Sequence, residues 1–204
     1  MTSIITGDII KSRNALSEDL WLTPLKSALS KLSKDASLYD IYRGDSFQLE
    51  CKTIEDSFLN AVYIKATIKS IKGLDARMSI GIGSKDYSGK SVSESNGQAF
   101  IYSGETFETL KKEKQNLKLK TSDAMFNKEF NLYFRLALIA MDHWTVNSAE
   151  IVKLSLEYPS MIQVELAKII GISQDAVSKR QKRAYLDEIL DLDRLYRQKI
   201  AQLC

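Results

Sequence analysis

Two aspartates stand where acidic side chains are unexpected. Asp8 interrupts the β-branched run Ser3-Ile4-Ile5-Thr6-Gly7-Asp8-Ile9-Ile10, and Asp45 follows Gly44 between two further β-like runs. If the first run is a central strand beside a hairpin tipped by Gly44-Asp45, the strand end and the hairpin tip lie together. Two carboxylates brought together repel unless a divalent cation or a shared proton neutralises them. A site of hard oxygens suits Mg²⁺, which takes one or two protein carboxylates together with phosphate oxygens. Gly7 and Gly44, each next to one of the acids, would admit a phosphate or a backbone at close range. Both aspartates also have a plainer reading, Asp45 as a turn former and Asp8 as the cap of a strand end.

A second pattern lies towards the C-terminus, in Gln163-Val164-Glu165-Leu166-Ala167-Lys168-Ile169-Ile170-Gly171-Ile172-Ser173-Gln174-Asp175-Ala176-Val177-Ser178-Lys179-Arg180. Ala167 is small where two helices would cross, Gly171 supplies a left-handed residue to end the first, and Ser173 caps the second. Ile172 and Val177 fill the space between them. These are the demands of a helix-turn-helix, placed at about residues 161–184. Gln174, Ser178 and Lys179 point away from the Val177 face and carry groups that read base edges in a major groove. Arg180, Lys182 and Arg183 supply phosphate contacts and a salt-dependent affinity. The expected partner is double-stranded DNA. The alternative is a protein-binding helix pair whose run Lys179-Arg180-Gln181-Lys182-Arg183 is a solvated face.

Positioning these residues takes a sheet first and helices afterwards. Strands are expected at Ser3–Ile10, Leu38–Arg43, Ser46–Cys51, Arg77–Gly83 and Leu117–Lys120, the last at an edge with its lysines outward. Gly44-Asp45 reads as a two-residue type II′ connection. Thr53-x-x-Asp56 opens a helix whose Ile54, Phe58, Ala61, Ile64, Ile68 and Ile71 recur at three and four, one amphipathic face. Another helix carries Leu25, Ala28, Leu29 and Leu32, with Pro24 at its first position or as a kink inside a longer helix. A third spans about 98–114 with Phe100, Gly104, Phe107 and Leu110 inward, after a surface loop from Ser84. Beyond residue 121 the pattern is helical, at about 127–143, 147–157, 161–169 and 174–203. The order β-α-β-β-α-β-α-β predicts an α+β protein. A ferredoxin-like palm sheet with helices fills residues 1–121, and an all-α helix-turn-helix domain follows over residues 122–204. The stripe Leu186, Ile189, Tyr196, Ile200 and Leu203, interrupted by Asp193, packs either on the chain's own helices or against a second copy in a homodimer.

Three blocks resemble, in order, those of the bacterial SatD family: Thr6-Gly7-Asp8-Ile9-Ile10-Lys11-Ser12-Arg13, Arg43-Gly44-Asp45-Ser46-Phe47-Gln48 and Arg77-Met78-Ser79-Ile80-Gly81-Ile82-Gly83. They are also similar to the wider nucleotidyl-cyclase and GGDEF palm superfamily, and Asn96-Gly97-Gln98-Ala99-Phe100 to the Gly-x-Ala segment that opens the next helix there. The resemblance covers about residues 3–120, and a helix-turn-helix follows the palm in SatD-like proteins. It implies that Asp8 and Asp45 hold a metal, that Gly7, Ile9, Gly44 and Arg77 contact a nucleotide, and that Mg²⁺ and a purine nucleotide are bound. The chain also departs from the pattern. GGDEF enzymes carry an acidic residue after the hairpin aspartate, where this chain has Ser46. Adenylyl cyclases place an asparagine and an arginine on the helix after the Gly-x-Ala segment, where this chain runs Phe100-Ile101-Tyr102-Ser103-Gly104-Glu105. Phosphoryl transfer depends on positioning and charge stabilisation, so losing these groups favours binding over turnover. Lys11 and Arg13 are either phosphate contacts or solvated. The function expected is a DNA-binding transcriptional regulator whose palm senses a nucleotide. The rival is a metal-dependent, nucleotidyl cyclase-like enzyme.

Composition narrows the classes. The 204 residues hold 29 Lys+Arg against 26 Asp+Glu, a net +3 that excludes a histone-like polycation and leaves room for a local basic patch. Hydrophobic residues at 44% and charged residues at 27% are the balance of a folded chain. No apolar run approaches the ~18 residues of a membrane span. Met1-Thr2-Ser3-Ile4-Ile5 has no basic segment before its apolar stretch, so a cytoplasmic protein without a signal peptide is expected. Cys51 and Cys204 form no C-x-x-C pattern, which points away from a disulfide framework or a cysteine zinc site. The one histidine, His143, reads as a structural residue at a helix end.

Overall fold

The β-branched run at the N-terminus forms β1 (Thr2–Ile10), and its alternation decides which layer meets which face. Ile5 and Ile9 enter the main core, while Ile4, Thr6 and Asp8 point to the opposite side. β1 pairs antiparallel with β3 (Ser46–Glu50) on one side and with β4 (Asp75–Gly83) on the other. β2 (Tyr39–Tyr42) pairs antiparallel with β3 at one edge, and β5 (Leu117–Lys120) pairs parallel with β4 at the other. The result is a mixed five-stranded sheet ordered β2-β3-β1-β4-β5. The structure, a computed structural model, describes residues 1–42 and 44–203, so Arg43 and Cys204 lie outside it. Within the described residues the fold is α+β with eight α-helices, none long and apolar enough to cross a membrane.

The β2–β3 connection differs from the expected two-residue turn. Tyr42 pairs with Ser46, which leaves three residues between the strands. Gly44 stands among them at φ 84, in the left-handed region that glycine adopts freely.

Helices α1 (Asp19–Leu32) and α2 (Ser57–Lys69) cover the Ile5 face. Pro24 lies inside α1, which starts at Asp19. A short 3-10 turn, Ile54–Asp56, precedes α2. α2 is not amphipathic as expected, because Val62, Tyr63, Lys65, Ala66 and Thr67 are buried together with Phe58, Ala61, Ile64 and Ile68. The reason is tertiary: α1 and α5 (Val146–Glu157) cover the side that spacing assigns to water.

α3 (Gln98–Glu113) lies on the Thr6 face. Its close approach is made by Gly81 on β4, where a Cβ would collide with the backbone of Ala99 and Ser103. Ser103 therefore meets the sheet, and Gly104, expected inward, has open space where a Cβ would stand. The segment from Ser84 to Asn96 folds back over this side, bridging Tyr87 to Asn96 and burying Val92 beside Ile4 and Phe100.

The later helices complete the first core. α4 (Ala124–Met141) buries Phe126, Phe130, Phe134, Leu138 and Met141, and α8 (Leu186–Ile200) buries Leu186, Ile189, Asp193, Tyr196 and Ile200. The Tyr196 ring sits among Phe58, Phe126, Phe130 and Phe134, and its hydroxyl shares a 2.6 Å hydrogen bond with Ser57. One apolar core thus runs across residue 121, and the change of pattern there is a change of element type. The α8 stripe is taken up inside its own chain.

α6 (Gln163–Ile170) and α7 (Gln174–Ala184) pack on α5 through a separate small cluster of Ile151, Leu166, Ala167 and Val177. Gly171 ends α6 at φ 74, and the Ser173 hydroxyl accepts from the Ala176 N–H to cap α7. The single helix expected over 174–203 is broken into α7 and α8 at Tyr185, which is left-handed at φ 55. The Ala184 carbonyl at the break accepts from the Trp144 indole N–H at 2.9 Å, a long-range contact that local sequence does not reveal.

Candidate functional site

The end of β1 and the hairpin tip meet: the Ile9 N–H donates to the Asp45 carbonyl at 3.1 Å, and Asp8 stands opposite Ser46. Across the other ladder Asp8 is registered with Arg77 of β4, whose guanidinium donates to Asp8 Oδ2. That guanidinium lies over the Phe107 ring of α3 at 5.7 Å. Asp8 Oδ1 is buried without a partner, and so is Arg77 Nε. Asp45 Oδ2 accepts from the Ser12 hydroxyl. Burial pushes the Asp8 carboxyl above the ordinary aspartate value; the Arg77 guanidinium opposes this, and the Asp45 charge adds to it.

Both aspartates line one cleft of about 650 Å³. Five cations share its wall: Lys11 and Arg13 from the turn after β1, Arg77 from β4, and Lys111 and Lys114 from the end of α3. Lys11 and Lys114 are left-handed at φ 65 and φ 53. For residues with a Cβ this conformation costs on the order of 1–3 kcal/mol and persists only where the surroundings enforce it. Lys111 and Lys114 were not among the expected site residues, although Lys111 follows Phe107 at four and Lys114, just past the end of α3, at seven. Asp45, Ser12 and Arg13 also wall a second cleft of about 500 Å³, with Gly44 and Trp21.

Two expected nucleotide contacts have other duties. Gly7 faces the core, where a Cβ would collide with the Phe47 ring and Met78, so its small size serves packing and the core occupies the space foreseen for a phosphate. Ile9 buries its side chain in the same core and spends its N–H on Asp45. Gly44 has open space at its Cβ position, and Arg77 lies on the cleft wall. Among the described residues no group of three or more His, Cys, Asp and Glu is gathered for a metal ion. The donor set is two carboxylates, one with an unpartnered buried oxygen, which is within the one or two carboxylates that a Mg²⁺ takes from protein.

On α7, Val177 and Ala184 are buried, while Gln174, Lys179, Lys182 and Arg183 are exposed and Ser178 is half-buried. Lys179 pairs with Asp175 at 2.8 Å across one helical turn. Gln174 donates to Gln163 of α6. Arg180 departs from the expected phosphate-facing set. Three residues beyond Val177, it lies on the inner side and pairs with Glu150 of α5 at 2.8 Å.

Comparison with protein-family models, with curated proteins and with solved structures yields no match to this chain. The functional reading therefore rests on the geometry of the cleft and of α7.

Proposed function

We propose that this chain is a DNA-binding transcriptional regulator whose sheet, a ferredoxin-like palm of the SatD kind, senses a purine nucleotide with Mg²⁺. The observation that carries the proposal is the two-sidedness of α7. Its inner side is tied to α5 by Val177 and the Arg180–Glu150 pair, and its outer side leaves Gln174, Lys179, Lys182 and Arg183 in water. A helix held from behind with donors and cations outward is what a recognition helix requires. The turn geometry at Gly171 and Ser173 supports the helix-turn-helix reading. The strand order β2-β3-β1-β4, with β1 antiparallel to both neighbours, supports the palm reading. In this reading Asp8 and Asp45 would hold Mg²⁺, which would supply charge neutralisation to the phosphates of the nucleotide. Lys11, Arg13, Arg77, Lys111 and Lys114 balance the remaining phosphate charge, and Gly44 borders the second cleft into which the rest of the ligand extends.

Electrophoretic shift across genomic fragments, with and without a purine nucleotide and Mg²⁺, tests this. Salt-sensitive binding to some fragments, altered by the nucleotide, is expected. No salt-sensitive binding to any fragment overturns the proposal.

The meeting of five cations with two carboxylates favours a second reading, a metal-dependent nucleotidyl cyclase-like enzyme. Incubation with ATP or GTP and Mg²⁺ or Mn²⁺ then forms a product that Asp45→Asn abolishes.

A further inference from the structure

α4 is apolar on two faces. One carries its phenylalanines into the core. The other carries Met125, Leu132, Leu136 and Ile139, which are 74%, 45%, 56% and 68% exposed. A helix with a single buried face places charged and polar residues opposite it. Spacings of seven, four and three, as at 125, 132, 136 and 139, belong to a seam that a second helix covers. Beside this stripe a groove of about 670 Å³ runs between α4 and α8, walled by Ala137, Leu192 and Leu195 and bordered by the half-exposed Tyr185. Leu132, Leu136, Ile139 and Tyr185 leave on the order of 400 Å² of apolar side chain in water, comparable with the largest patch of a typical monomer, which is often functional.

We propose that this groove is a homodimer interface and that its occupant is α4 of a second copy. The stripe is self-complementary: under a two-fold rotation it meets an identical stripe, the condition for an isologous contact. The rim is self-complementary in charge. Arg183 and Glu188 both border the groove, and neither has an ion pair among the described residues. A two-fold axis passing beside this rim, at the Ile139 end of α4, sets each Arg183 against the other copy's Glu188. A foreign helix would need its own apolar stripe with matching charges, whereas a second copy carries both. A standard interface takes about 800 Å² from each partner; the stripe supplies roughly half, and the groove walls and charged rim lie where they add the rest. Arg183 belongs to α7 as well as to the rim, so in the dimer its guanidinium serves the interface, and Gln174, Lys179 and Lys182 remain the outward set of α7. The interface itself does not depend on DNA or nucleotide binding.

The test is sedimentation of the full chain alone, without DNA or nucleotide. The wild type is expected to pass from one chain mass to two as concentration rises. Leu136→Glu and Ile139→Glu each place an unpaired charge in the seam and are expected to raise the dimer dissociation constant on the order of 100-fold. Both positions are exposed, so circular dichroism and thermal unfolding of the monomeric variants remain as in the wild type. Arg183→Glu weakens the dimer, and adding Glu188→Arg restores it. A wild type that stays monomeric at its highest soluble concentration, or a dimer indifferent to both glutamates, overturns the proposal.

Discussion

Lys65 is fully buried in α2, with its ammonium 2.7 Å from Asp75 on β4 and 2.7 Å from Asp142 at the end of α4. Lys69 closes the group, lying 3.1 Å from Asp75 and donating to the Asp142 carbonyl at 2.8 Å. The network ties the sheet to the end of α4. Removing one partner of a buried ion pair strands the others. Lys65→Met is therefore expected to lower stability by about 3–5 kcal/mol in urea unfolding, and a loss below about 1 kcal/mol would show that the charges are not coupled. Asp193 is the opposite case. It is buried in α8, and burial raises its carboxyl above the ordinary 3.8 in spite of Arg197. A raised acid favours the folded state while protonated, and that contribution is lost as pH climbs from 3.8 through the folded value. At neutral pH the buried charge is a burden. Asp193→Asn, which leaves Arg197 its 2.9 Å pair with Asp56, is expected to raise the melting temperature at neutral pH, with the gain shrinking as pH falls toward 3.8. A pH-independent difference between the two proteins would refute this.

At the scale of elements, two glycines separate sterics from backbone strain. Gly171 ends α6 at φ 74 with open space where a Cβ would stand. Gly171→Ala is expected to lose about 1–2 kcal/mol, the left-handed penalty alone. Gly81 has no unusual φ, yet a Cβ would strike backbone of α3, which cannot swing aside as a side chain does. Gly81→Ala is expected to lose about 3 kcal/mol as α3 is forced from the sheet. Urea midpoints ordered the other way would mean that α3 floats over β4. The same distinction explains what was legible here. β-Branched composition exposed β1, period-two alternation exposed β3 and β4, and the turn residues exposed α6 and the start of α7, because those signals are local. The break at Tyr185 was not legible, because the contact found there, an indole N–H arriving from residue 144, is long-range. Nor was the all-round burial of α2, because its outer cover comes from α1 and α5.

At the scale of the whole molecule, the proposed function divides the α7 cations between folding and DNA. Arg180 holds α7 to α5, whereas Lys182 is free in water. Arg180→Ala is expected to cost about 0.5–1 kcal/mol of stability with little change in the salt dependence of DNA binding. Lys182→Ala is expected to leave stability unchanged and to reduce the slope of log affinity against log salt by about 0.9, one phosphate contact. Equal slopes for the two variants would remove α7 from the interface. The cleft is likewise a whole-molecule product. Asp8 and Asp45 were readable because each sits in a recognisable strand or turn, and Arg77 through the resemblance, while Lys111 and Lys114 lie at the far end of a helix whose direction over the sheet had to be known first.

Composition, period, capping and turn chemistry in the chain by themselves determined the strand set and most helices, since each depends on residues a few positions apart, whereas the meeting of the Asp8 strand end with the Asp45 turn waited on the pairing of β1 with β3. Tertiary structure alone decided that one core spans both halves, that Arg180 turns inward, and that α4 keeps a second apolar face in water. Those outcomes depend on which helix finally covers which surface, and burial against a distant element is a property of the packed molecule that no local pattern encodes.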